Sequence, residues 1–539
     1  MEMHEGTNQP PPLLDYNLFE LDADLVEAVH REGAAWADSL LLDFGKLVGS
    51  EQVIQWGFEA NENPPVLHIY DRFGNRRDEV TFHPAWHNLL RLSLEHGLHD
   101  LSWREARAGG HVARAALLML AGQNEAGHTC PVSMTHASIP VIRKEAEIAR
   151  EWETRILQPH YDARFAPAAQ KAGALIGMGM TEKQGGSDVR TNTTTAEPTG
   201  GGEYLLTGHK WFCSVPMSDA FLVLAQAPGG LSCFFLPRWT PDGERNGFHL
   251  QRLKNKLGNR SNASAEVEFA SAWARIIGGE GRGIATIMEM VNYTRLDCVL
   301  SSAGLIRQAV TQAIHHAQHR KAFGKFLIQQ PAMQNVLADL YLESAAATVL
   351  AMRLAGAIDR QEVNLAERSF ARLAIAAAKY WVTKRCPAHT GEALECLGGN
   401  GYVEDCILPR LYRESPLNSI WEGSGNVNCL DVLRILRKEP AAKESFFAEL
   451  RAAKGGDRRL DAKIDELEES LTGTPADCDA RRVAEQLALT LQASLLIRYA
   501  PLEVAAAFCA SRIAGDWGRN FGTLPGATDF HAILGRAWR

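Results

Sequence analysis

The chain has 539 residues, 46 % of them hydrophobic and 22 % charged, with a formal net charge of −8. That length calls for two to four domains with a large core, and the acidic balance argues against steering of the whole chain toward nucleic acid or acidic membranes, while leaving room for a local basic face. The start, "MEMHEGTNQPPPLLDYNLFE", has no basic stretch leading into an apolar one, and no apolar run reaches the roughly eighteen residues of a membrane span, so a cytoplasmic protein is expected. The ten cysteines are scattered without a CxxC pair, which suggests neither a metal site nor a disulfide framework.

From about residue 20 to 170 apolar residues recur at three-to-four spacing, as in "DADLVEAVHREGAAWADSLLLDFGKLV" and "AWHNLLRLSLEH", with breaks at Pro64, Pro65 and Pro131. Residues 1–173 therefore read as an N-terminal helical domain. Over 174–280 the period shifts toward two in "EYLLTGHKWFCSV", "AFLVLAQA", "LSCFFLPR" and "SAEVEFASAWARII", the pattern of a compact β domain. Long helical patterns return over 281–439, each long enough for a bundle helix. Residues 440–539 look helical as well, and their thirteen Lys and Arg against fourteen Asp and Glu leave them close to neutral. This order excludes βαβ alternation, and no GxGxxG follows a strand, so a Rossmann dinucleotide site is not expected.

The stretch "MTEKQGGSDVRTN", residues 180–192, places hydroxyls around paired glycines. Gly185, Gly186 and Ser187 offer N–H and O–H donors at close range, which suits a phosphate or the polar edge of a ring; a plain surface turn is the alternative. Glu422 in "SIWEGSGN" precedes the helical run "VNCLDVLRILRK". Read from the residues alone it is a carboxylate that stabilises the N-terminus of that helix. Arg295 in "NYTRLD" has, as its plain alternative, a salt bridge with Asp297 or another buried acid. Trp211 and Phe212, adjacent on one strand, are expected on opposite faces.

Four motifs in this order, "MTEKQGGSDV", "GHKWFCSV", "RKAFGKFLIQQPAMQ" and "CLGGNGY" followed by "SIWEGSGN", resemble those of the acyl-CoA dehydrogenase flavoproteins over roughly residues 60 to 437. "NPPVLHIYDRFGNRRDEVTFHPAW", "RLKNKLGNRSNASAEVEF" and the C-terminal tail are similar to the alkylation-response branch of that family. The resemblance implies an α+β, mostly α, acyl-CoA dehydrogenase fold: an N-terminal helical domain, a middle β-barrel-like domain, a C-terminal four-helix bundle and an extra helical domain. It implies FAD between the β domain and the bundle, and a homotetramer in which the segments holding Arg320 and Phe323, and Gly398, Gly399 and Gly401, reach a neighbour's FAD.

By the same resemblance Met178, Gly179, Met180, Thr181, Gly186 and Ser187 line the flavin, with Thr181 on the ring's polar edge and Ser187 near the pyrophosphate. Phe212, Cys213 and Ser214 pack on it, and Ile420, Trp421, Gly423, Ser424 and Asn426 complete the cofactor set. Glu422 falls on the position of the family's catalytic base and Arg295 on an arginine behind the site. Two departures stand out. Phe212 occupies a position where many relatives have Trp, and Glu395 precedes "CLGGNGY" where relatives often have Gln, a charge that Arg320 or Arg385 would have to screen.

The alkylation-response branch implies binding of double-stranded DNA through the C-terminal helical region, protection from or detoxification of alkylating agents, and weak dehydrogenation of an acyl-CoA of isovaleryl-CoA type. Arg434, Arg437 and Lys438, with Arg451, Lys454, Arg458, Arg459, Arg481, Arg482, Arg512 and Arg519, form the candidate phosphate-contacting set. The acidic "DELEES" argues for a solvated amphipathic surface instead. Two alternatives stay open: a metabolic short- or branched-chain acyl-CoA dehydrogenase without a DNA role, and a DNA-covering scaffold in which FAD is structural.

Overall fold

The computed structural model describes residues 6–104 and 107–538. The fold is α+β and mostly helical, and the chain divides into two compact units. One comprises the segments up to Ile54, Ala108–Asn124 and Arg295 onward; the other comprises Gln55 onward to the start of that second segment and Glu125–Thr294.

The second unit is built on a sheet. A hairpin of β1 (Val66–Tyr70) and β2 (Arg76–Thr81) interrupts the region read as helical. Its turn explains the difference: Asp71 Oδ1 accepts the backbone N–H of Phe73 at 2.8 Å and of Asn75 at 2.9 Å, and Gly74 takes a φ of +84°, so local turn chemistry overrides the helical spacing. Seven strands follow: β3 (Ile176–Gly179), β4 (Thr195–Gly200), β5 (Glu203–Ser214), β6 (Ala220–Ala227), β7 (Gly230–Pro237), β8 (Phe248–Leu253) and β9 (Ser264–Ile277). β6, β4, β5, β9 and β7 pair in sequence and β7 pairs again with β6, closing a barrel-like ring; β3 adds to β6 in parallel and β8 to β9. Closure removes the edges an open sheet would expose. β6 is apolar along nearly its whole length and buried on both faces, and Phe221, Phe234, Phe235 and Phe248 are fully buried, each contributing about 1.5–3 kcal/mol of apolar burial.

The first unit is helical. Its long members are α1 (Gly283–His319, in this unit from Arg295), α2 (Pro331–Arg360) and α3 (Leu365–Cys396), with α4 (Gly425–Lys438) after the "SIWEGSGN" turn. β10 (Lys321–Ala322) and β11 (Lys325–Phe326) form a two-residue hairpin between α1 and α2. α2 is long and apolar enough to cross a membrane by length and composition, and its apolar window is entirely buried; it is the central core helix of this unit. The C-terminal segment continues as α5 (Pro440–Arg451), α6 (Arg458–Ser470) and α7 (Ala480–Tyr499). It is integral to the packing: Trp381 Nε1 on α3 donates to Gln492 on α7 at 3.0 Å, the rings of Phe370 and Phe446 stack, and Arg353 on α2 bridges Glu367 and Glu449.

Candidate functional site

In the sheet unit, Met178 and Gly179 end β3, and Met180 and Thr181 lead into a tight turn closed by reciprocal backbone hydrogen bonds between Glu182 and Gly185. The turn hangs on Glu182. Its carboxylate is fully buried and lies 2.8 Å from the equally buried Lys210 of β5. It also accepts the N–H and hydroxyl of Thr193 and of Thr194 at 2.6–3.2 Å. Burial pushes the Glu182 carboxyl up, but the Lys210 charge and these donors outweigh it and hold the group well below the usual carboxylate range. Lys210 reaches the carbonyl of Leu224 as well, at 2.6 Å.

This pair fixes the loop against β5, where Trp211 N–H donates to the Thr181 carbonyl at 2.8 Å. A Cβ at Gly186 would lie 2.4 Å from Thr181 Oγ1, so only glycine lets the chain close over that hydroxyl. Gly186 and Ser187 are exposed beside it. Free donors on an anchored, close-packed loop fit an anionic or polar-edged ligand such as the pyrophosphate and ring edge of FAD.

Phe212, Cys213 and Ser214 end β5. The pairing of β5 with β9 shifts register between Lys210 and Cys213, so Lys210 and Cys213 both point into the core while Phe212 is half exposed. The expectation that Trp211 and Phe212 lie on opposite faces is therefore wrong, because a bulge breaks the strict alternation. Lys254 confirms the shared face: its Nζ lies 3.2 Å from the Trp211 ring centre and 4.7 Å from that of Phe212, and it pairs with Glu266 at 2.6 Å. The exposed Phe212 ring is a surface on which a flat ligand can stack. Cys213 is fully buried, and burial pushes its thiol up to about 12.

The same unit holds a cluster that sequence reading missed. Ser93 Oγ lies 2.9 Å from His128 Nε2, and His128 Nδ1 lies 2.9 Å from Glu125. The connectivity is that of a hydrolase triad, yet all three residues are at most 2 % exposed. Glu125 is further committed to Ser261 and to the N–H groups of Gly127 and His128, so the cluster is a satisfied core network.

In the helical unit the candidate base stands on an unusual turn. Glu422 has φ +56°, and Gly423 follows at φ +94°. A non-glycine residue in this region costs about 1–2 kcal/mol and persists only where the surroundings hold it. Here they do. Arg295 Nε donates to the Glu422 carbonyl at 3.1 Å, Lys379 of α3 donates its ammonium to the carbonyls of Trp421, at 2.7 Å, and Gly423, and Asn428 Nδ2 donates to the Gly423 carbonyl at 2.6 Å. Trp421 Nε1 is tied to Asn418 at 2.9 Å.

Arg295 does not pair with Asp297, which binds Arg114 at 2.8 Å; its acid is Asp431, at 2.8 Å, shared with Arg372. Burial pushes the Asp431 carboxyl up, and the two guanidinium groups overcome that and hold it well below the usual range. Arg295 is thus a support of the Glu422 turn. Of the remaining predicted cofactor residues here, Ile420 is 62 % exposed, Gly423 and Ser424 are half-buried in the turn, and Asn426 is exposed and accepts from Arg481 at 2.8 Å.

Phe323 is 98 % exposed at the tip of the β10–β11 hairpin, with φ +52°. Arg320 donates to the Asn8 carbonyl at 2.6 Å. Gly399 is exposed, and Gly401 has no room for a side chain, since a Cβ there would meet the Leu394 carbonyl at 2.1 Å. Glu395 is exposed, and Arg385 is engaged elsewhere, 3.0 Å from Glu343, which removes it as a screen for Glu395.

The candidate DNA set divides. Arg512 does not lie on the surface: its side chain is 1 % exposed, 2.5 Å from Asp339 and 3.4 Å from Glu343, and the expectation of a phosphate contact from it is corrected. Arg434 pairs with Asp431 and Arg437 with Asp477, while Arg451, Lys454 and Arg459 bind acids of their own segment. Among the described residues, Lys438, Arg458, Arg482 and Arg519 are exposed and form no salt bridge.

A barrel unit carrying an anchored hydroxyl and glycine loop, together with a helical unit that holds a carboxylate on a strained turn, defines the acyl-CoA dehydrogenase class. Comparison with known proteins agrees. Residues 8–163 match the adaptive response protein AidB N-terminal domain, 177–272 the acyl-CoA dehydrogenase middle domain and 281–436 its C-terminal domain. The chain is 48 % identical to AidB of Escherichia coli (strain K12) over 510 residues, 94 % of each chain. It is 28 % identical to acyl-CoA dehydrogenase family member 11 of Caenorhabditis elegans over 93 % of this chain and 86 % of that one. The crystal structure of Caenorhabditis elegans ACDH-11 in complex with C11-CoA superposes with a TM-score of 0.86 at 26 % identity, covering 95 % and 94 % of the two chains. The protein belongs to the acyl-CoA dehydrogenase family, in its AidB branch, and the members of that family are FAD-dependent.

Proposed function

We propose that the protein is an FAD-dependent oxidoreductase that removes the Cα proton and the Cβ hydride of a short or branched acyl-CoA thioester of isovaleryl-CoA type, at low turnover, and that it works as a cytoplasmic homotetramer. The observation that carries this reading is Glu422 held on its strained turn by three separate donors. In the proposed reaction the Glu422 carboxylate takes the α-proton, Arg295 supports the turn from behind, and the loop Met178–Ser187 with Phe212 holds the cofactor. FAD, when bound, supplies the acceptor for the hydride. Phe323 and the Gly398–Gly401 segment are assigned to a neighbouring subunit's site, a reading favoured by a large ring left 98 % exposed at a hairpin tip. The test is anaerobic mixing of the yellow protein with a series of acyl-CoA thioesters: flavin bleaching by isovaleryl-CoA is expected, and no bleaching at any chain length contradicts the reading.

A second role rests on the AidB N-terminal domain and the four exposed, unpaired cations Lys438, Arg458, Arg482 and Arg519: binding of duplex DNA in the response to alkylating agents. Deleting the segment beyond 440 would not test it, because Phe446, Glu449 and Gln492 complete the bundle core. Replacing the four cations by Gln does, with DNA titrated at two salt concentrations; salt-sensitive binding weakened by the replacement is expected, and unchanged binding rejects this surface.

A further inference from the structure

We infer that Lys379, which no sequence motif singles out, is the residue that positions Glu422 for proton abstraction. This rests on the reading of Glu422 as the base. Lys379 lies in the middle of α3 with 1 % of its surface exposed. Among the described residues it forms no salt bridge, and its hydrogen bonds go to the two carbonyls that flank Glu422, those of Trp421 and Gly423. A buried ammonium without a carboxylate partner is held at a cost, which burial shows by pulling the Lys379 ammonium below its ordinary range.

The geometry says what this arrangement does. One ammonium bridging residues 421 and 423 pins both ends of the left-handed step at 422, while Arg295 pins its middle. Arg295 shares the single carboxylate of Asp431 with Arg372 and Arg434. The groups that act on Lys379 are Cys298 of α1 and Glu422, which favour its charged form, and Arg295 and Lys384, which oppose it. Holding both flanking carbonyls fixes the backbone from which the Glu422 side chain projects, and with it the direction in which a base at that position points. Asn428 and Asn418 add neutral hydrogen bonds but bring no charge.

The experiment uses the flavin-loaded full chain and Lys379→Gln, with amide hydrogen exchange across residues 420–425 and steady-state kinetics on the same samples. The expected result is exchange about tenfold or more faster in that turn, unchanged flavin content, unchanged KM for the acyl-CoA and kcat lowered about tenfold or more, the size of a lost charged hydrogen bond. Exchange equal to wild type, or a loosened turn with unchanged kcat, overturns the inference. If Lys379→Gln does not fold, Lys379→Arg, which keeps the charge but not the two-carbonyl geometry, carries the same kinetic test: lowered kcat at constant KM supports it and unchanged kcat overturns it. A wild-type protein bleached by no acyl-CoA, whose turn still loosens in Lys379→Gln, retires the base reading of Glu422 while keeping Lys379 as the holder of the turn.

Discussion

Each of the two units buries a lysine beneath its candidate site, and the two are satisfied in different ways. Lys210 in the barrel unit meets a carboxylate, Glu182, which also ties down the Thr193 and Thr194 segment. Lys379 in the helical unit meets two backbone carbonyls and, among the described residues, forms no salt bridge. The first is a neutral clamp that anchors a binding loop. The second holds the backbone on either side of a carboxylate on a strained turn. The contrast separates two kinds of support: an ion pair that anchors a binding loop, and carbonyl contacts that hold the backbone step from which a base projects.

The comparison breaks first at the neutral clamp. Lys210→Met leaves Glu182 buried without its counter-ion, and a loss of about 3–5 kcal/mol in chemical denaturation is expected, most of it recovered when Glu182→Gln is added. Lys379→Met, which leaves only carbonyls unpaired, is expected to cost less, about 1–3 kcal/mol. Equal losses at the two positions would erase the distinction.

Acid sharpens it. The Glu182 carboxyl is held low in the folded protein, below the roughly 4.3 of an unfolded glutamate. Its contribution is therefore complete above that value and is lost as pH falls toward the folded one. Wild-type stability should drop between about pH 5 and pH 3, while the Glu182→Gln, Lys210→Met double variant loses less over the same window; parallel curves would show that the pair is not ionised. Gly186→Ala is next in size. Its new Cβ displaces Thr181, so weaker FAD retention, on the order of tenfold, is expected with little change in unfolding. Smallest in stability is the Gln replacement of Lys438, Arg458, Arg482 and Arg519, within about 0.5 kcal/mol per site.

Sequence reading located the residues that sit next to one another in the chain. The glycine loop, the "GHKWFCSV" strand and the "SIWEGSGN" turn are contiguous, and each carries its own turn or alternation signal. What it missed is pairing over distance. Glu182 looked like one more loop residue until β5 brought Lys210 to it, and Lys379 reads as an ordinary polar position in a helical stretch. Asp297 is the nearest acid to Arg295 in the chain, yet the helix turns it toward Arg114 and leaves Arg295 to Asp431. Composition fared worst with Arg512, since counting charges cannot tell a surface arginine from one sunk between Asp339 and Glu343.

The assignment of Glu422 as the base is tested most directly by deuterium wash-in. The flavin-loaded protein is incubated with isovaleryl-CoA in deuterium oxide, and deuterium at Cα is read by mass spectrometry for wild type, Lys379→Gln and Glu422→Gln at matched flavin content. Incorporation by wild type, slower incorporation by Lys379→Gln and none by Glu422→Gln is the predicted result. Equal incorporation by wild type and Glu422→Gln, or none by wild type, would contradict it.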